Sequence, residues 1–268
     1  MNSIRRTACA FLFCIIIAVG GLVCAAARIH PVVCDYFLIG GAADGKWLSE
    51  EAMGKLIRGG ERYRIYSLTK YHGEGTGGKL SIEAPGDTHA VEIEPLPKQK
   101  SHLIAVACDW NALRRVPRVQ STSQKTYLDA VSAILRQKGL SGSKPNITQV
   151  LRIDLEGDGQ EEVLIAATVA RRGYPSDTNS RKGDYSFVAM RKLVKKKVET
   201  TVLTGEFHTK SRRFSAPNKY EIPAVLDLNG DGRLEVLVWW EYYEGNGVDV
   251  FALKDGKLVE VFGGFSGA

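Results

Sequence analysis

Two short stretches of the chain place oxygen-bearing side chains at alternate positions. In one, Asp227, Asn229, Asp231 and Glu235 fall at positions 1, 3, 5 and 9 of a loop, with Gly232 at position 6. Arg233, at position 7, can offer only its backbone carbonyl. The other has the same order: Asp154, Glu156, Asp158, Gly159, the Gln160 carbonyl and Glu162. Alternation in a tight loop aims several oxygens at one point, and glycine permits the sharp turn that a Cβ would block. Ca²⁺ takes about 6–8 oxygens at about 2.3–2.6 Å, so Ca²⁺ is the cofactor this order suits. Like charges crowded into one loop repel unless a cation neutralises them. A competing reading needs no metal, because Asn229-Gly230 and Asp158-Gly159 are also good hairpin-turn dipeptides.

The elements around the loops exclude one calcium architecture. Position 12 is apolar in both (Ile165 and Val238), where an EF-hand needs a bidentate Glu, and the flanks read as strands. Apolar runs precede and follow each loop, at 150–155 and 163–165 and again at 224–228 and 236–238. Two further strand-like runs follow in each unit. These are 185–193 and 198–203, joined at Lys195-Lys196-Lys197, and 248–253 and 258–262, joined at Asp255-Gly256. Each unit therefore reads as a meander of four antiparallel strands with the Asp loop between the first two.

Asp-Leu-Asn-Gly-Asp-Gly at 227–232, followed by Leu-Glu-Val-Leu-Val at 234–238, resembles the FG-GAP/VCBS-type repeats of exported and cell-surface proteins. The likeness covers roughly the last 120 residues. It implies calcium ligation at positions 1, 3, 5, 7 and 9 of each loop and propeller-blade-like units. The departures are Glu at position 9 of both loops and Glu156 at position 3 of the first. These longer side chains must fold back to reach an ion. Only two units are found, so a closed propeller of 4–8 blades is not expected.

Upstream, short alternating runs at 36–39, 62–66, 80–83, 90–93 and 103–107 read as strands, with Pro85-Gly86-Asp87 as a turn. Ser49 caps a short helix whose first turn carries Glu50 and Glu51. A clear helix follows Ser121-Thr122-Ser123, with Tyr127, Leu128, Val131, Ile134 and Leu135 at helical spacing and Gly139 as its stop. The expected fold class is α+β, mostly β. It comprises a signal peptide over 1–27, an N-terminal β-rich domain over 28–120, a helix and linker over 121–145, and two repeats over 146–268.

Arg5-Arg6, an apolar stretch over 8–27 and Ala25-Ala26-Ala27 make a secretory signal, with cleavage near Ala27. The alternative is an uncleaved segment anchoring the chain in a membrane. The expected location is therefore periplasmic, cell-surface or extracellular, in a bacterial setting. Removing the signal takes two of the 36 Lys+Arg and none of the 30 Asp+Glu, leaving a net charge of about +4. An exported, mildly basic chain makes nucleic acid an unsuitable partner; an envelope polysaccharide or protein fits better. Basic residues at 171–172, 181–182, 191–192, 195–197 and 212–213 read as a solvated face or a surface for anionic envelope polymers.

After cleavage only Cys34 and Cys108 remain, either bonded or as two buried thiols. There is no CxxC and no paired His to suggest zinc, and the five histidines lack ligand spacing. No GxSxG or Ser/His/Asp signature appears. Trp239-Trp240 alternates across a strand, packing one ring in the core and offering the other as core or as ligand platform. The favoured reading is a non-enzymatic binding or adhesion module. The alternative is an envelope hydrolase using Glu74 or Asp87 as acid or base.

Overall fold

The computed structural model describes residues 28–82, 88–169, 178–215 and 217–267. The signal segment, the turn at 85–87, Asp87 and the pair Arg171-Arg172 lie outside the described residues. Among the described residues the protein is mostly β, with antiparallel sheets and two helices. The strands are β1 (Ile29–Cys34), β2 (Phe37–Ala43), β3 (Lys46–Leu48), β4 (Arg62–Ser67), β5 (Lys70–Gly77), β6 (Ile93–Glu94), β7 (Ile104–Val106) and β8 (Arg118–Val119). They continue as β9 (Ile147–Ile153), β10 (Glu162–Val169), β11 (Tyr185–Val194) and β12 (Lys197–Phe207). The last four are β13 (Lys219–Leu226), β14 (Glu235–Tyr242), β15 (Gly245–Lys254) and β16 (Lys257–Gly267). Helix α1 spans Glu50–Gly54 and α2 spans Lys125–Gln137.

These strands form a seven-stranded sheet (β3-β2-β1-β7-β4-β5-β6), a five-stranded sheet (β12-β11-β10-β9-β8) and a four-stranded sheet (β13-β14-β15-β16). Both expected meanders are present, the first with β8 added at its edge. The hairpins turn at Lys195-Lys196 (φ 47° and 66°) and Asp255-Gly256 (φ 51° and 73°), the paired left-handed residues that a two-residue turn requires.

Alternation along the strands sorts the apolar side chains into stacked layers. On β14, Leu237 and Trp239 face one cluster while Val236 and Val238 face another. Leu237 and Trp239 meet Val32 and Cys34 of β1 and Ile104 and Val106 of β7. Val236 and Val238 meet Leu151, Ile153, Leu164 and Val188 of the five-stranded sheet. The outer faces of the flanking sheets are covered by helices: Met53 of α1 packs with Val33 and Tyr63, and Val131 and Leu135 of α2 pack with Ile165 and Phe187. The order is therefore helix, sheet, central sheet, sheet, helix. The β13–β16 sheet is buried on both faces, which explains why 224–226 and 236–240 are apolar without interruption.

One local expectation changes, and one open alternative is decided. Helix α2 begins after Gln124, whose side chain makes no cap bond, and Ser121 instead bonds Ser123 at 2.8 Å. Its end is as read: Gly139 turns at φ +80° and Leu140 N–H donates to Leu135 O at 2.7 Å. Cys34 and Cys108 are free thiols. The register explains this: Cys34 stands opposite Ile104, so Cys108 lies four residues further along the ladder, about 13 Å away. A disulfide tolerates about 7 Å between Cα atoms.

Candidate functional site

The loop between β9 and β10 and the loop between β13 and β14 fold alike. Position 1 organises each one. Asp154 Oδ1 accepts from Gly157 N–H (2.6 Å) and Asp158 N–H (3.2 Å), and Oδ2 accepts from Gly159 N–H (2.9 Å). Asp227 Oδ1 accepts from Gly230 N–H (2.7 Å), and Oδ2 from Gly232 N–H (3.1 Å). The glycines at positions 4 and 6 have φ between +78° and +88° in both loops, a region a side chain disfavours. Position 5 turns back on the chain in each. Asp158 accepts from Gln160 N–H and Asp231 from Arg233 N–H, both at 2.8 Å. Asn229 accepts from Asp231 N–H at 3.0 Å and donates through Nδ2 to Asp231 at 3.1 Å.

Glutamate at position 9 does fold back. Glu162 Oε2 accepts from Leu155 N–H at 3.0 Å, and Glu235 Oε2 from Leu228 N–H at 2.8 Å. Both carboxyls are buried, at 1% and 2% exposure. Burial raises the pKa of each, most for Glu235, where the charges of Asp231 and Asp227 add to it. Asp154 is held below the usual range: burial opposes this, but the three N–H donors and Arg115 outweigh it.

A strap that the sequence did not single out lies across both loops. Trp110 donates its indole N–H to Asp227 O at 2.9 Å and covers Gly230, where an added Cβ would meet the ring at 3.3 Å. Ala112 O accepts from Asp227 N–H at 2.9 Å. Arg114 pairs through Nε with the fully buried Asp227 carboxylate. Arg115 binds backbone oxygens of both loops: Asp154 O (2.6 Å), Leu155 O (3.3 Å) and Gly232 O (2.8 Å). Leu234 N–H to Leu155 O (2.9 Å) completes the joint. The adjacent Arg114-Arg115 pair was the only sequence signal for this strap, and its contacts come from residues about 40 and more than 110 positions away.

Lys192 departs from the solvated-face expectation. Its ammonium pairs with Glu156 and lies 3.6 Å from Glu162, and its side chain is 17% exposed. Arg191 stacks its guanidinium over Tyr127 at 6.0 Å. Trp239 and Trp240 both pack into apolar clusters, one on each face of the central sheet, so neither forms an open platform. Glu74 is paired with Arg62 and Arg64. Among the described residues, one group brings three His, Cys, Asp or Glu ligand atoms within 4.8 Å of one another, and it is Cys34, Asp35 and His102 rather than either loop. The loop carboxylates are instead spread over backbone N–H groups, Arg114 and Lys192.

Comparison with protein-family models, with curated proteins and with solved structures finds no match to this chain.

Proposed function

We propose that the chain is an exported, non-enzymatic binding module of the cell envelope whose two Asp/Gly loops take Ca²⁺. The observation that carries this reading is the crowding of Asp227, Asp231 and Glu235 in one loop. Glu235 feels both neighbouring carboxylates, and Arg114 supplies one fixed positive charge against three acids. A dication relieves that repulsion, whereas a plain hairpin turn has no reason to accumulate it. The two meanders, each with its loop between the first two strands, support the likeness to FG-GAP/VCBS-type units. Ligation by Asp227, Asn229, Asp231, the Arg233 carbonyl and Glu235 requires the exposed Asp231 to swing toward Asp227 and Glu235. The same holds for Asp154, Glu156, Asp158, the Gln160 carbonyl and Glu162. Because Arg115 ties the loops together, calcium there stiffens the joint between the central and five-stranded sheets. Export rests on the Arg5-Arg6 start, the apolar stretch and the Ala triplet. The partner class is an envelope polysaccharide or protein.

Thermal unfolding with Ca²⁺ and with chelator tests the reading. At free Ca²⁺ of about 100 times Kd the gain is about 2.7 kcal/mol. Asp231→Ala removes most of it, Arg233→Ala little, and Mg²⁺ substitutes poorly because it holds its waters in a tight octahedron. Identical melts of wild type and Asp231→Ala in both conditions would show that the loop is a hairpin turn only.

A further inference from the structure

The second ion-binding candidate lies at the other end of the central sheet. Cys34 ends β1 opposite Ile104 of β7. The ladder runs one step further: Asp35 N–H donates to Leu103 O at 2.8 Å, and Leu103 N–H donates to Asp35 Oδ1 at 2.9 Å. Period-two alternation puts His102 on the same face as Ile104 and Cys34, toward the central sheet. A continuing strand would send the Asp35 side chain to the opposite face. Its φ of +55°, in the turn into β2, reverses this and brings Oδ2 to 2.8 Å from His102 Nδ1. Glu221 of β13 reaches across from the central sheet to His102 Nε2 at 3.3 Å. Trp239 stacks against the imidazole at 3.8 Å and 25°. The thiol, the imidazole and the Asp35 carboxylate each offer a ligand atom within 4.8 Å of the other two.

We propose that Cys34, Asp35 and His102 bind one divalent transition-metal ion of the zinc class. A thiolate, an imidazole and a carboxylate are the donors such an ion accepts, and a thiolate suits neither Ca²⁺ nor Mg²⁺. With bonds of about 2.0–2.3 Å, tetrahedral donors stand about 3.3–3.8 Å apart, so side-chain rotations of about 1 Å close the set. With the metal on Nδ1, Nε2–H points at Glu221, the kind of carboxylate partner that fixes a ligating imidazole. Cys34 is the buried floor, while Asp35 and His102 keep 31% and 23% of their side chains exposed and admit the ion from solvent. Water fills the fourth position. Loading releases the thiol proton and the proton held between His102 and Asp35, so two charges enter as two leave. A metal-free ion pair of His102 with Asp35 and Glu221 accounts for the carboxylates but gives the Cys34 thiol no part.

The site is independent of calcium in the loops. Its test is Zn²⁺ titration of the chelator-stripped full chain, followed by Co²⁺ in place of Zn²⁺. The expected result is one Zn²⁺ per chain. Co²⁺ should give tetrahedral visible bands and a near-ultraviolet thiolate charge-transfer band. Cys34→Ser loses the charge-transfer band, Cys108→Ser keeps it, and Asp231→Ala leaves Zn²⁺ binding unchanged. Glu221→Gln keeps the band but weakens Zn²⁺ about tenfold or more. Asp35→Asn, in a half-exposed turn, serves if the buried Cys34 variant does not fold; it should weaken Zn²⁺ by at least about tenfold. Absence of stoichiometric Zn²⁺, or equal affinity in wild type and the folded Cys34 or Asp35 variant, overturns the proposal.

Discussion

The loops at 154–162 and 227–235 share one residue order and one hydrogen-bond plan, yet they sit in different surroundings. Asp227 is fully buried, clamped by Arg114 and roofed by Trp110. Asp154 is half-buried, and its loop is balanced from outside by Lys192. The 227–235 loop lies on the central sheet, covered on both faces; the 154–162 loop lies on a flanking sheet. The same local code therefore makes a structural anchor in one place and a more open turn in the other. What separates them is the chain at 110–115, which covers the central loop with a ring and a guanidinium and touches the outer loop only through its backbone.

Asp227→Ala strips Arg114 of its buried partner and leaves the Gly230 and Gly232 N–H groups unpaired, costing about 3 kcal/mol. Asp154→Ala, whose donors are exposed to water, costs about 1 kcal/mol. Urea unfolding of both in chelator measures the gap, and equal losses would mean that the strap does not distinguish the loops.

Arg114→Gln removes the fixed cation from the central loop and lowers stability in chelator by about 1 kcal/mol. In the same variant Ca²⁺ should restore more stability than it adds to wild type, since Asp227 no longer has a competing partner. Lys192→Gln should do likewise for the outer loop. If Ca²⁺ stabilises Arg114→Gln no more than wild type, the guanidinium and the ion do not compete for Asp227.

A pH-dependent effect supplies the baseline for both loops. Asp249 of β15 accepts from the Trp240 indole N–H at 3.2 Å. Burial, with Glu260 adding, raises its carboxyl from 3.8 to about 6. Folding therefore favours its protonated form. That stability is fully present below about 3.8 and is lost as pH rises through about 6. Asp249→Asn should flatten the stability profile between these values while leaving the Ca²⁺ response intact. An unchanged profile would assign that pH dependence elsewhere, with the buried Glu235 and Glu162 next to be tested.

Much of the architecture was legible because it depends on short-range rules. Alternation and turn dipeptides gave both four-stranded meanders, and Lys195-Lys196 and Asp255-Gly256 turned where a two-residue hairpin needs left-handed residues. Ser49 and Gly139 marked helix ends through local bonds. The misread helix start at 121–124 has the same origin in reverse: three adjacent cap-forming residues compete, and Ser121 and Ser123 satisfied each other.

The order of oxygen residues at 154–162 and 227–235 was determined by the sequence alone, and with it the turn, the left-handed glycines and the candidate ligands. The sequence also determined that one side chain of each Trp pair would face each side of a strand. Tertiary structure alone decided that both sides are covered, because only stacking between two other sheets buries both faces of β14. It also decided that Arg114, Arg115 and Lys192 supply charge and hydrogen bonds to the loops, and that Cys34, Asp35, His102 and Glu221 meet. Those contacts join residues 30 to about 120 positions apart. No periodicity reports such pairs, because strand order and sheet stacking, not spacing along the chain, set which side chains come together.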